Sequence, residues 1–132
     1  MKRVQVLDAR GIDKALERMA AELLEHAGDE KHIYLVGIQT RGVPLAHRLA
    51  RVIAARTGSR PPVGALDITL YRDDVGPWRA AHTQPVLRDT DLPMAVDRRL
   101  VCLVDDVLYT GRTIRAALDT LMDYGRPQAI RL

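Results

Sequence analysis

Along this chain the apolar positions switch between helical and extended periods. Between Ile12 and Leu24, residues Ile12, Leu16, Met19, Ala20, Leu23 and Leu24 keep helical spacing, and Gly28 supplies a stop. IYLVGI, residues 33 to 38, is apolar without polar alternation, which predicts a strand covered on both faces. After the turn QTRG, VPLAHRLARVIAARTG predicts a second helix, with Pro44 in its first turn, Leu45, Leu49, Val52 and Ile53 on one face and Gly58 at its end. VGALDITLYRDD alternates Leu66, Ile68 and Leu70 against Asp67, Thr69 and Tyr71, the pattern of a strand with one wetter face. RDDVGPWRAAHTQP, residues 72 to 85, has no usable period and predicts a long flexible loop, with PVLRDT a candidate strand returning from it. LVCLV, residues 100 to 104, is a second continuous apolar strand. After DDVLYTGR a third helix places Ile114, Ala117, Leu118, Leu121 and Met122 on one face, closed by Gly125 and Pro127.

Strands alternating with helices imply parallel pairing through right-handed crossovers, hence an α/β fold with a parallel sheet flanked by helices. A chain of 132 residues that is 47% hydrophobic is expected to form a single domain over residues 1–132. QAIRL, after Pro127, looks like the opening of another strand, so the expected sheet lacks C-terminal strands and the domain is expected to be incomplete at that end. Ligands of such sheets bind at the carboxyl ends of the strands. Both QTRG and DDVLYTGRT lie at such ends.

Composition narrows the picture further. No run of about 18 apolar residues could span a membrane, and MKRVQVLDARG lacks the apolar stretch of a signal peptide, so a cytoplasmic protein is expected. The one cysteine, Cys102, sits within an apolar strand and is expected to be a buried thiol, which excludes a disulfide framework or a CxxC zinc site. The net charge of +3 comes mainly from arginine, whose fork suits phosphate, although genomic base composition also favours arginine. His26, His32, His47 and His82 show no metal-ligand spacing.

The chemistry concentrates after the second apolar strand. Thr110, Gly111, Arg112 and Thr113 occupy a strand-to-helix turn, where backbone N–H groups and threonine hydroxyls can converge on an anion. Asp105 and Asp106 just upstream suit sugar hydroxyls or Mg²⁺ instead. A phosphate cradle beside a diol site describes a ribose 5-phosphate. GIQTRGVP has Walker A glycine spacing but continues with Val43 and Pro44, so the required lysine is missing, and no GxGxxG occurs. The acid pair also suggests receiver domains, but there the acids open the chain. A purely structural reading makes the aspartates caps of the third helix.

VCLVDDVLYTGRT resembles the phosphoribosyl pyrophosphate (PRPP) motif of the type I phosphoribosyltransferases: apolar strand, acid pair, then T-G-x-T. Together with VGIQTRGVPLAHRLA, LDITLYRDD and VDDVLYTGRTIRAALDTLMDYGRP it is similar to the branch that joins uracil phosphoribosyltransferase activity to attenuation of pyrimidine operons. The resemblance implies conversion of uracil and PRPP to UMP and pyrophosphate, with Mg²⁺ as cofactor bridging the substrate's hydroxyls and pyrophosphate. It implies catalytic roles for Asp105, Asp106 and Arg72. PRPP and nucleotide contacts are implied for Thr40, Arg41, Asp105, Asp106, Val107, Leu108, Tyr109, Thr110, Gly111, Arg112, Thr113 and Arg88, with Mg²⁺ held near Asp105 and Asp106 through the substrate. Arg72, Arg79 and Arg88 bracket a segment similar to the family's flap, and Trp78 lies within it. The branch further implies UMP or UTP as effectors, leader RNA as partner and homodimers or larger homo-oligomers. RNA-binding relatives carry Thr-Arg and a later histidine on the first helix. Glu17, Arg18 and Ala21 stand there in this chain, leaving Arg18 as the RNA contact and Glu17 as a charge that repels phosphate. A nucleotide sensor with little catalysis, or an enzyme for another base, remain alternatives.

Overall fold

The computed structural model describes residues 3–68 and 90–132. Its helices are α1 (Ala9–Ala27), α2 (Gly42–Thr57) and α3 (Arg112–Met122), and its strands are β1 (Ile33–Ile38), β2 (Val63–Leu66), β3 (Leu100–Val104) and β4 (Ala129–Arg131). Helix α1 begins where Asp8, in extended backbone, accepts a hydrogen bond from the Gly11 N–H at 2.7 Å, and it ends at Gly28 with φ 69°. A 3-10 turn over Glu30–His32 then feeds β1.

The four strands of the described residues pair in parallel, in the order β2-β1-β3-β4. Every residue of β1 is buried because the sheet is covered on both sides. Ile33 and Leu35, with Leu100 and Cys102 of β3, face α1 and α2, which contribute Leu16, Ala20, Leu23, Ala46, Leu49, Ala50 and Ile53. Tyr34, Val36 and Ile38, with Val101 and Leu103, face α3 through Ala116, Ala117 and Leu121, joined by Leu66, Ile68 and Val96. Full burial of a leucine or isoleucine stabilises by about 1.5–3 kcal/mol, so these two layers hold the fold together.

The topology fixes where a ligand can bind. The chain steps from β1 outward to β2 through α2, and from β3 outward in the opposite sense to β4 through α3. Right-handed crossovers in opposite directions must lie on opposite faces, as α2 and α3 do. The loops leaving β1 and β3 therefore diverge and leave a crevice between the carboxyl ends of those strands.

Three expectations need adjustment. Met19 is 54% exposed and Met122 58% exposed. Both sit off the centre of their helix stripes, which the smaller Ala20 on α1 and Ala116 and Ala117 on α3 bring close to the sheet. The buried face of α2 is centred on Ala46, Leu49, Ala50 and Ile53, with Leu45 and Val52 at its margin. Strand β2 stops at Leu66, whose carbonyl accepts the Gln39 N–H, while the Asp67 N–H donates to Thr90 Oγ1 and leaves the ladder. The expected burial of Leu66 and Ile68 is present. The expected loop over residues 72 to 85 and nearly all of PVLRDT lie outside the described residues. No helix among the described residues is long and apolar enough to cross a membrane.

Candidate active site

The crevice at the switch point is an open cleft of about 540 Å³. The loop after β1 lines it with Ile38, Gln39, Thr40 and Arg41, and the loop after β3 with Asp105 through Gly111, followed by Thr113 and Ile114 of α3. Ile68, just past β2, closes one side. Of the residues expected at a PRPP site, Thr40, Arg41, Asp105, Asp106, Val107, Leu108, Tyr109, Thr110, Gly111 and Thr113 thus come together. Arg112 opens α3, is exposed and is not among the residues lining the cleft. Arg72, Arg79, Trp78 and Arg88 lie outside the described residues. Arg18 is exposed on α1, apart from the cleft.

Glycines bring the two loops into register. A Cβ on Gly37 would come within 2.5 Å of the Val43 Cα and 2.7 Å of the Gly42 carbonyl oxygen, and a Cβ on Gly42 would run into the Val104 carbonyl oxygen. Only glycine at both positions lets the first turn of α2 lie against the ends of β1 and β3. The Gln39–Thr40 peptide is cis.

Both helices that start at the cleft start uncapped. Helix α1 has Asp8 as its cap, whereas α2 and α3 begin at Arg41 and Gly111 with no side-chain cap and no acidic residue in the first turn. Apart from the Arg112 N–H, which donates to Thr110 Oγ1, their first-turn N–H groups and positive dipole ends can meet an anion. Gly111 takes φ 83°, a left-handed conformation that turns the chain into α3, and the Arg112 N–H donates to Thr110 Oγ1 at 3.3 Å. Between the helix starts stand the two carboxylates. Asp105 Oδ1 accepts the Asp106 N–H at 2.8 Å, and Arg41 reaches across to Asp106 at 3.6 Å. Both side chains of that ion pair keep solvent contact, so it adds little stability. The cleft can hold one anion at each helix start and a polyhydroxyl group between them.

For Mg²⁺ the donors are hard oxygens, which suits the ion. Among the described residues no group of three or more histidines, cysteines, aspartates and glutamates is placed to cage a metal. A magnesium ion held by one or two carboxylates and otherwise by substrate oxygens and water fits this donor set.

A phosphoribosyl transferase domain profile matches residues 3–132. The chain is 57% identical over 127 residues to the bifunctional protein PyrR of Syntrophobacter fumaroxidans, covering 96% of this chain and 67% of that protein. It is 53% identical over 131 residues to the PyrR of Pelotomaculum thermopropionicum, covering 99% and 71%. This chain belongs to the PyrR family of phosphoribosyltransferases. Among solved structures, the purine phosphoribosyltransferase of Pyrococcus horikoshii Ot3 superimposes with a TM-score of 0.65 at 21% identity, covering 94% of this chain and 70% of that one. The hypoxanthine-guanine phosphoribosyltransferase of Leishmania tarentolae, solved with GMP, does so with a TM-score of 0.66 at 15% identity, covering 96% and 66%. These two likenesses are of fold: the parallel sheet flanked by helices is the phosphoribosyltransferase one.

Reading from the sequence missed Ile38, Gln39, Ile68 and Ile114 as lining residues. Ile38 ends β1, Gln39 follows it directly and Ile68 lies two residues past the end of β2, which is the signal that could have found them. The close approach at Gly42 carried no signal in a single sequence, because a glycine at the start of a helix also serves ordinary turns.

Proposed function

We propose that this chain transfers a phosphoribosyl group from PRPP to uracil, giving UMP and pyrophosphate, and that the same protein regulates a pyrimidine operon by binding its leader RNA in response to uridine nucleotides. The observation that carries the enzymatic half is that the N-cap residues Arg41 and Gly111, neither of which makes a side-chain cap, line one cleft together with Asp105 and Asp106. The start of α3, with Thr110 and Thr113, receives the 5-phosphate. The loop Gln39–Gly42 and the start of α2 receive the pyrophosphate. Asp105 and Asp106 accept hydrogen bonds from the ribose hydroxyls between them, and Arg41 then leaves Asp106 for the pyrophosphate. Magnesium, when bound with the substrate, neutralises pyrophosphate charge.

The reaction needs no enzyme nucleophile. Uracil N1 forms the new bond to the anomeric carbon, the bond to pyrophosphate oxygen breaks with its electron pair leaving on that oxygen, and the N1 proton is lost to solvent. The site contributes by orienting two reactants and placing positive charge where the leaving group develops its negative charge. The choice of uracil and the RNA activity are supported by identity to the PyrR relatives across almost the whole chain. Arg18, exposed on α1 away from the cleft, is the proposed RNA contact.

Formation of UMP from labelled uracil and PRPP with Mg²⁺ tests the enzyme. Asp106→Asn removes a charge-assisted hydrogen bond and is expected to lower kcat/KM by about 10- to 100-fold. Unchanged turnover would remove Asp106 from the diol site, and no UMP from the unaltered chain would overturn the substrate assignment.

A further inference from the structure

Two acids on α1 do not stand free. Asp13 is held by Arg48 of α2 at 2.8 Å, and Glu17 by Arg56 of α2 at 3.1 Å. The exposed side of α1 next to them carries Arg10, Lys14 and Arg18. These fall at i, i+4 and i+8, so they form one stripe about 12 Å long. Without the α2 arginines, Asp13 and Glu17 would lie beside that stripe and offset most of its charge.

We infer that Arg48 and Arg56 are positioning residues for RNA: by engaging Asp13 and Glu17 they leave Arg10, Lys14 and Arg18 as a continuous cationic track for the phosphate backbone. The inference rests on the RNA reading above and extends it from Arg18 to the N-terminal half of the helix face, which Glu22 closes one turn beyond Arg18. It also changes the role expected of Glu17. That glutamate is a tethered partner of Arg56, turned toward α2, and not a bare charge opposing RNA. The partner chemistry follows from the arrangement: three cations in a line on a rigid helix match successive phosphates of one strand, whose counterions they displace.

The test uses the full chain, with two labelled probes: a transcript of the pyrimidine-operon leader from the source genome, and polyuridylate, which reads backbone contact alone. Binding is measured over a range of salt concentrations. Arg10→Ala, Lys14→Ala and Arg18→Ala should each reduce the slope of log K against log salt by about 0.7. Arg56→Ala should weaken binding by about threefold at low salt, because Glu17 is released beside the track. The double variant Glu17→Gln with Arg56→Ala should recover binding to within about twofold of the unaltered chain. Loss in Arg56→Ala that the double variant does not recover would overturn the positioning role and make Arg56 a direct contact, and no change in Arg56→Ala would overturn it too. Salt slopes unmoved by Arg10→Ala and Lys14→Ala would remove the track. Failure of the unaltered chain to bind either probe would instead sink the RNA half of the proposed function. UMP formation by the same variants, expected at the unaltered rate, separates all of these from misfolding.

Discussion

Replacing Gly42 by alanine should disable the enzyme more than it destabilises the fold. The added Cβ would meet the Val104 carbonyl oxygen, with the Val104 carbonyl carbon 3.0 Å away and the Asp105 Cα 3.2 Å away. All three are backbone atoms, so no side chain can rotate to make room. Carbon and oxygen settle at about 3.3 Å or more, so the start of α2 and the end of β3 must part by roughly 1 Å. Overpacking of this kind costs about 1–3 kcal/mol. The same displacement separates the Gln39–Gly42 loop from Asp105 and Asp106, and a misplacement of about 1 Å costs about 100-fold in rate.

Steady-state UMP formation and a thermal melt read the two effects separately. Gly64→Ala is the control: its Cβ would meet Leu92 Cδ2 at 2.8 Å, the end of a flexible side chain, in the first half of β2 and away from the cleft. It should lower stability and leave kcat unchanged. A Gly42→Ala chain with normal kcat would refute the idea that close approach of α2 to β3 sets the spacing of the two loops. Equal loss of rate in both variants would do the same, since it would trace to general loosening.

Two further outcomes follow from local geometry. Gly111→Ala forces an L side chain into φ 83° at the start of α3, with a cost of about 1 kcal/mol to the fold and a raised KM for PRPP as the phosphate cradle is displaced; an unaltered KM would remove the cradle from Gly111. Burial pushes the Cys102 thiol up to about 11 from 9.0. The folded chain therefore holds that proton more tightly than the unfolded one: stability is fully present below pH 9 and falls by about 2–3 kcal/mol as pH rises through 11. Melting temperatures across that range should show a shallower fall in Cys102→Ala, and identical slopes would refute the assignment. Burial also raises the Tyr34 hydroxyl, against the opposing hydrogen bond from the Met94 N–H and the Arg99 charge, so a residual fall persists in that variant.

Most of the architecture was legible because its causes are local. IYLVGI and LVCLV lack polar alternation, and both prove to be strands covered from two sides. The acid pair and the Thr-Gly turn announce a strand-to-helix loop by composition alone. What stayed hidden depends on contacts between segments distant in sequence. The buried stripe of α2 was misjudged by a fraction of a turn, because four small or aliphatic residues, Ala46, Leu49, Ala50 and Ile53, bring the helix onto the sheet. The pairing of Glu17 with Arg56 joins residues separated by two intervening elements, and nothing near Glu17 in the chain signals it. The cis peptide at Gln39–Thr40 lacks the proline that would have flagged it.

The starts of α1, α2 and α3, among the described residues, show where this sequence gives up stability for function. Asp8 caps α1, and such a cap is worth about 1 kcal/mol. At the starts of α2 and α3 the chain has Arg41 and Gly111, neither of which supplies a side-chain acceptor. Aspartate or serine there would satisfy first-turn N–H groups and steady each helix. It would also occupy the donors that an incoming phosphate needs, and an aspartate would set a negative charge in its path. A sequence optimised for folding alone would cap α1, α2 and α3 alike. The two whose N-cap residues lack a side-chain acceptor are those whose N-caps, Arg41 and Gly111, line one cleft with Asp105 and Asp106. That departure from local consistency is the kind expected where a fold must bind a ligand, and it explains why the missing caps at α2 and α3 say more about this protein's chemistry than the cap at α1.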